Sequence, residues 1–107
     1  MAGKRVLMMT KVNAIWSSLE EFNKHWEKEN LPFWLEQGAK HIGSFVNYLG
    51  GPKSQIIRLF EFDDLSQWDR FMELREKMFD SEQGRQGLQK TLEFVESIEE
   101  TVWISVY

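Results

Sequence analysis

Apolar and polar residues alternate along this chain in two different rhythms. Ile15, Leu19, Phe22 and Trp26 recur at spacings of four, three and four, which aligns them on one side of an α-helix. Glu20, Glu21, Lys24, Glu27 and Lys28 occupy the far side as a solvated, charge-paired face. Pro32 disfavours helix at Leu31, so this first helix is expected to end near Asn30, with a short helical turn over 32–37 closed by Gly38. A second helix is predicted over 65–79, with Leu65, Trp68, Phe71, Met72, Arg75 and Phe79 along or beside one stripe, Asp63, Asp64 and Ser66 offering oxygens to its first turn, and Ser66 with Asp69 as a capping box. Residues 80–87 should interrupt it, and Leu88, Leu92, Val95 and Ile98 predict a further short helix.

Between and around the helices the pattern reads as strand. Residues 4–12 are mostly apolar on both faces, 40–49 form a second strand, and Gly50-Gly51-Pro52 supplies the free and fixed φ of a reversal into a third strand at 54–62. Residues 100–107 alternate, with Val102, Ile104 and Val106 on one side and Thr101, Trp103, Ser105 and Tyr107 on the other. The order βαββαβ is that of the ferredoxin-like α+β class: a four-stranded antiparallel sheet covered by helices on one face, in a single domain over 1–107.

That architecture leaves one sheet face bare. If Val102, Ile104, Val106, Ile57 and Leu59 turn toward the helices, then Trp103, Tyr107, Ile56, Arg58, Phe60 and Phe62 lie on the opposite face. So large an apolar patch calls for a second sheet, and a symmetric homodimer supplies it most simply.

Composition narrows the partners. With 42% hydrophobic and 14% aromatic residues the chain is no disordered segment, and a net charge of −4 with scattered basic residues argues against nucleic acid. No cysteine is present, so neither a disulfide framework nor a thiolate metal site is available. The histidines, His25 and His41, lack ligand spacing, and neither a metal nor another cofactor is expected. No apolar run reaches the ~20 residues of a membrane helix, and a cytoplasmic protein is expected.

The pattern of Trp26, then Leu31-Pro32, Gly38, the hairpin at Gly50-Gly51, the strand Ile56-Ile57-Arg58-Leu59-Phe60-Glu61-Phe62 and Asp64-Leu65 before an aromatic helix resembles the NIPSNAP family. Membership of that family implies a dimeric α+β barrel. Related superfamily members include cofactor-free monooxygenases, cyclases, decarboxylases and haem-handling proteins, and the fold does not choose among them. Haem-degrading relatives carry a histidine on the second helix. This chain has none there.

Candidate chemistry then rests on few residues. Arg58, in an otherwise apolar strand, is either a clamp for a carboxylate or enolate or the partner of a structural acid, Glu61, Asp63 or an acid of a second subunit. Phe60, Trp103 and Tyr107 are expected to line an aromatic pocket with it, and His25, His41 and Tyr48 are the candidate proton carriers. The functional expectation is binding, or cofactor-independent turnover, of a small, partly apolar, anionic molecule in the barrel cavity. A non-catalytic interaction or scaffolding homodimer is the alternative.

Overall fold

In the computed structural model, which describes residues 4–51 and 53–106, the chain runs β1 (Val6–Ala14), a 3₁₀ turn (Trp16–Ser18), α1 (Leu19–Glu29), α2 (Leu31–Glu36), β2 (Lys40–Val46), β3 (Gln55–Phe62), α3 (Leu65–Asp80), α4 (Glu82–Leu92) and β4 (Val95–Ile104). The four strands form one antiparallel sheet in the order β2-β3-β1-β4, the ferredoxin-like arrangement. The helices lie on one face.

Most element boundaries follow local chemistry. The α1 helix ends at Asn30, one residue before the Leu31-Pro32 pair that opens α2. Gly38 stops α2 with a φ of +88°, and Gly50 turns the hairpin with +86°. Pro52, the third residue of that expected turn, lies outside the described residues.

Three local expectations are corrected. The α3 helix is capped by Asp64, whose Oδ1 accepts from the Gln67 N–H at 2.8 Å, and not by Ser66; an extended backbone at Asp64 aims its carboxylate back at the first turn. The interruption expected over 80–87 shrinks to Ser81, which accepts from the Gly84 N–H at 3.0 Å and starts α4 at once. Val95 and Ile98 belong to β4, since α4 stops at Leu92. Their spacing fits a helix, but Val12 and Ala14 at the end of β1 offer a strand to pair with.

The largest correction concerns the faces of the sheet. Val6, Met8, Thr10 and Val12 of β1 stand beside Phe62, Phe60, Arg58 and Ile56 of β3, and all eight are buried under the helices. Ile57 and Leu59 therefore point to the bare face, the reverse of the expectation. On β4 the expectation agrees with the register: Val102 and Ile104 pair with Met8 and Val6 on the helical side, while Trp103 stands beside Leu7 on the bare side. The reason is that β3 carries apolar residues in both alternating sets, so its own pattern cannot choose a side. Pairing with β1 chooses it.

Beneath the helices the core is aromatic. Trp34 stacks on Phe60 at 4.3 Å and meets Phe71 at 4.5 Å between ring centroids, with Trp26, Phe22 and Phe62 around them. The bare face carries Leu7, Met9, Ile57, Leu59 and the exposed Phe45 and Trp103.

Candidate functional site

The helical layer does not close over the sheet. A cleft of about 790 Å³ remains between α1 and α2 on one side and α3 and α4 on the other, floored by Thr10 and Val12 of β1 and Ile98 and Glu100 of β4. This falls within the roughly 300–1,000 Å³ of small-molecule sites. Phe22, Trp26, Phe33, Trp34 and Phe79 give it aromatic walls, and His25, Arg75, Thr91 and Glu100 give it polar ones.

Arg75 projects from α3 at a position where the helical stripe calls for an apolar residue. Its two terminal nitrogens donate to both carboxylate oxygens of Glu100, at 2.7 and 2.8 Å. Only 13% of its side chain is exposed, so this fork is partly shielded from water. Its guanidinium carbon lies 5.8 Å from the rings of Trp34 and Phe71. Of the three N–H groups left over, the Nε–H donates to nothing among the described residues. Among the described residues the buried side-chain polar atoms without a partner are Arg58 Nε and Trp68 Nε1, so the Arg75 Nε–H is open to accessible space, at a residue that lines the cleft.

His25 enters from α1 and meets α4. The Thr91 hydroxyl donates to the Gly87 carbonyl at 3.0 Å, and its oxygen lies 3.4 Å from His25 Nε2. A hydroxyl has one proton, and Gly87 receives it. Toward His25 the Thr91 oxygen is therefore an acceptor, so in the neutral imidazole this contact favours the proton on Nε2 and the lone pair on Nδ1. Phe94 packs against the ring at 5.8 Å. Nδ1 has no partner and is not among the buried polar atoms, so it too is accessible.

Arg58 is the surprise. It is completely buried, yet no carboxylate pairs with it among the described residues: Nη1 donates to Ser44 Oγ at 3.1 Å and Nη2 to Asn23 Oδ1 at 2.9 Å. Its guanidinium carbon lies 4.0 Å from the centroid of the Trp26 ring. Burial lowers its pKa to about 10, with the charge of Glu27 acting in the opposite direction. The expected ion pair with Glu61 or Asp63 is absent; those acids face Arg5 and Lys40 instead. Arg58 thus backs the Trp26 ring that lines the cleft without lining it itself.

The other expected site residues are dispersed. Phe60 is a core ring under Trp34, whereas Trp103 sits across the sheet with its indole N–H on Thr101 at 2.9 Å, so the two cannot wall one pocket. Tyr107 lies outside the described residues. His41 stacks on Phe60 at 5.0 Å and holds Ser44 Oγ at 2.9 Å, away from the cleft lining. Tyr48, 98% exposed past the end of β2, is remote from it. His25 alone of the candidate proton carriers reaches the cleft. Arg75, Glu100 and Thr91 were not singled out from sequence. Arg75 carried a usable signal, a charge within an apolar stripe, the same one that marked Arg58.

Among the described residues no cluster of three or more histidine and carboxylate side chains is placed to hold a metal, and no helix is long and apolar enough to cross a membrane.

The NIPSNAP family model matches residues 16–106. No curated protein matches the chain. Solved structures similar in fold include a NIPSNAP family protein from Agrobacterium tumefaciens, with a TM-score of 0.76 at 18% identity over 99% of this chain and 90% of that one. Another is an uncharacterized NIPSNAP domain protein from Burkholderia xenovorans, with 0.75 at 17% identity over 94% of each chain. A dimeric ferredoxin-like protein from an uncultured marine organism superposes with 0.68 at 18% identity over 98% of this chain and 90% of that one.

Proposed function

This chain belongs to the NIPSNAP family, and from that premise we propose that it is a cytoplasmic homodimer, each subunit of which binds a small, partly apolar, anionic molecule in the cleft between helices and sheet. The observation that carries this reading is the open cleft itself, with aromatic walls and the free Nε–H of Arg75 at a residue of its lining. Aromatic faces take the apolar body of the ligand, and the guanidinium takes its oxygen end. Glu100 already balances part of the Arg75 charge, and Glu29 and Glu36 line the cleft along with Lys90, so the site suits a monoanion better than a polyanion. A scaffolding dimer would need no such opening.

The bare face supports dimerisation. Leu7, Met9, Ile57, Leu59, Phe45 and Trp103 form an apolar surface that a second sheet would cover, and one protein of similar fold is described as dimeric.

Calorimetric titration with 2-naphthoate tests the cleft. The parent protein should bind it, and Gly87→Phe should weaken binding at least about tenfold: a Cβ at Gly87 meets nothing within 4 Å, so the ring has room to enter the cleft. Equal affinity in the two proteins would refute the assignment of the site. Sedimentation equilibrium tests the dimer, which Leu59→Glu should dissociate by burying a carboxylate between two apolar sheets. A monomeric parent at micromolar concentration would refute it.

A further inference from the structure

We propose that the cleft does chemistry as well as binding: His25 removes a proton from the carbon next to a ligand carbonyl, and the protein interconverts keto and enol forms of small aromatic carbonyl acids. This rests on the cleft being the ligand site.

Three features of the structure meet in the proposal. The contact with Thr91, itself committed to the Gly87 carbonyl, favours in the neutral ring of His25 the tautomer with an accessible lone pair on Nδ1. In a 2-oxo acid the carboxylate and ketone oxygens are neighbours, so the Arg75 Nε–H that would hold the anion would also stand beside the oxygen on which negative charge develops, and the bidentate grip of Glu100 fixes the guanidinium so that it need not reorganise. Both residues line one cleft whose aromatic walls would hold the ring of the substrate. An ordinary surface histidine has none of these.

The step balances without a cofactor. The α-carbon gives its proton to His25 Nδ1, the C–H electron pair becomes the carbon–carbon double bond, and the carbonyl π pair moves to oxygen beside the Arg75 Nε–H. His25, now an imidazolium, keeps its Nε2–H on Thr91 and returns the other proton to the enolate oxygen, giving the enol. The reverse sequence gives the ketone. Glu29, one helical turn beyond His25 and also lining the cleft, is the nearest carboxylate in sequence on that wall to offset the transient cation.

The test uses phenylpyruvate, which has an aromatic body, a carboxylate and an enolisable ketone. Binding is measured by calorimetry at tautomeric equilibrium, and ketonisation of freshly dissolved enol is followed by ultraviolet absorbance, for the parent and for His25→Gln, whose amide N–H can still reach Thr91. The expected result is accelerated ketonisation by the parent, a rate lower by about 100-fold or more in His25→Gln, and affinity unchanged within about threefold. Binding without acceleration, or an equal rate in the variant, would overturn the proposal and leave the binding reading standing. No binding of phenylpyruvate or of 2-naphthoate by the parent would overturn both. If His25→Gln proves unfolded by circular dichroism, α-hydrogen exchange of phenylpyruvate in deuterated water with the parent decides: incorporation above the buffer rate supports the proposal, and its absence overturns it.

Discussion

Replacing Arg58 by methionine should leave the protein as stable as before or raise its stability by about 1–3 kcal/mol. The guanidinium is fully buried with no carboxylate paired to it among the described residues, and its pKa falls from the ordinary arginine value to about 10 because burial disfavours the charged form. A fall of that size corresponds to about 3 kcal/mol of penalty for carrying the charge in the native state. Methionine of similar length removes the penalty. It also removes contact of the cation with Trp26, worth about 0.5–2 kcal/mol, and restores part of it through sulfur–aromatic contact. Ser44 is exposed and Asn23 only half-buried, so water can replace the two lost donors at little cost. The expectation agrees with the general finding that apolar replacement of buried charge is neutral or stabilising.

Urea melts of both proteins at pH 5, 7.5 and above 10 check this. Below pH 10 both native and unfolded chains keep the Arg58 proton, so the difference between parent and variant should be the same at pH 5 and 7.5. Above about pH 10 the native parent sheds that proton before its unfolded chain does. The unfolded state then binds more protons, and the parent should gain stability relative to the variant as pH rises. A loss of more than about 3 kcal/mol at pH 7.5 that recovers at pH 5 would refute the reasoning, because it would reveal a carboxylate depending on Arg58.

Two glycines of α4 should answer oppositely to the same change. Gly84→Ala drives its Cβ into the backbone carbonyl of Met78 and should cost at least about 2 kcal/mol, whereas Gly87→Ala meets nothing within 4 Å and should add about 0.5–1 kcal/mol of helix stability, both read from denaturant midpoints. Arg75→Met strands the partly buried Glu100 carboxylate and should cost about 1–3 kcal/mol while weakening 2-naphthoate binding at least about tenfold in calorimetry. Asp64→Ala removes the cap of α3 and should cost about 1 kcal/mol by the same melts.

The sequence by itself determined the class of the fold. Helical stripes, strand alternation, Pro32 and the glycines at 38 and 50 act through neighbours along the chain, and their local steric rules place α1, α2, α3 and the β2–β3 hairpin within a residue or three. It also marked Arg58 as a charge in an apolar row, and Arg75 carries the same signal. What each charge meets was decided by tertiary structure. Whether Arg58 faces helices or a partner sheet turns on the register of β3 against β1, because an apolar pattern on both faces leaves the two orientations equal until another strand pairs with it. Val95 and Ile98 have helical spacing after Leu92, but the edge of β1 was available and its backbone hydrogen bonds drew them into β4. The cleft is likewise tertiary. His25, Arg75, Thr91 and Glu100 lie on four different elements, and only the sheet order brings β4 under α3 and α4, where Glu100 can reach Arg75 and Thr91 can reach His25.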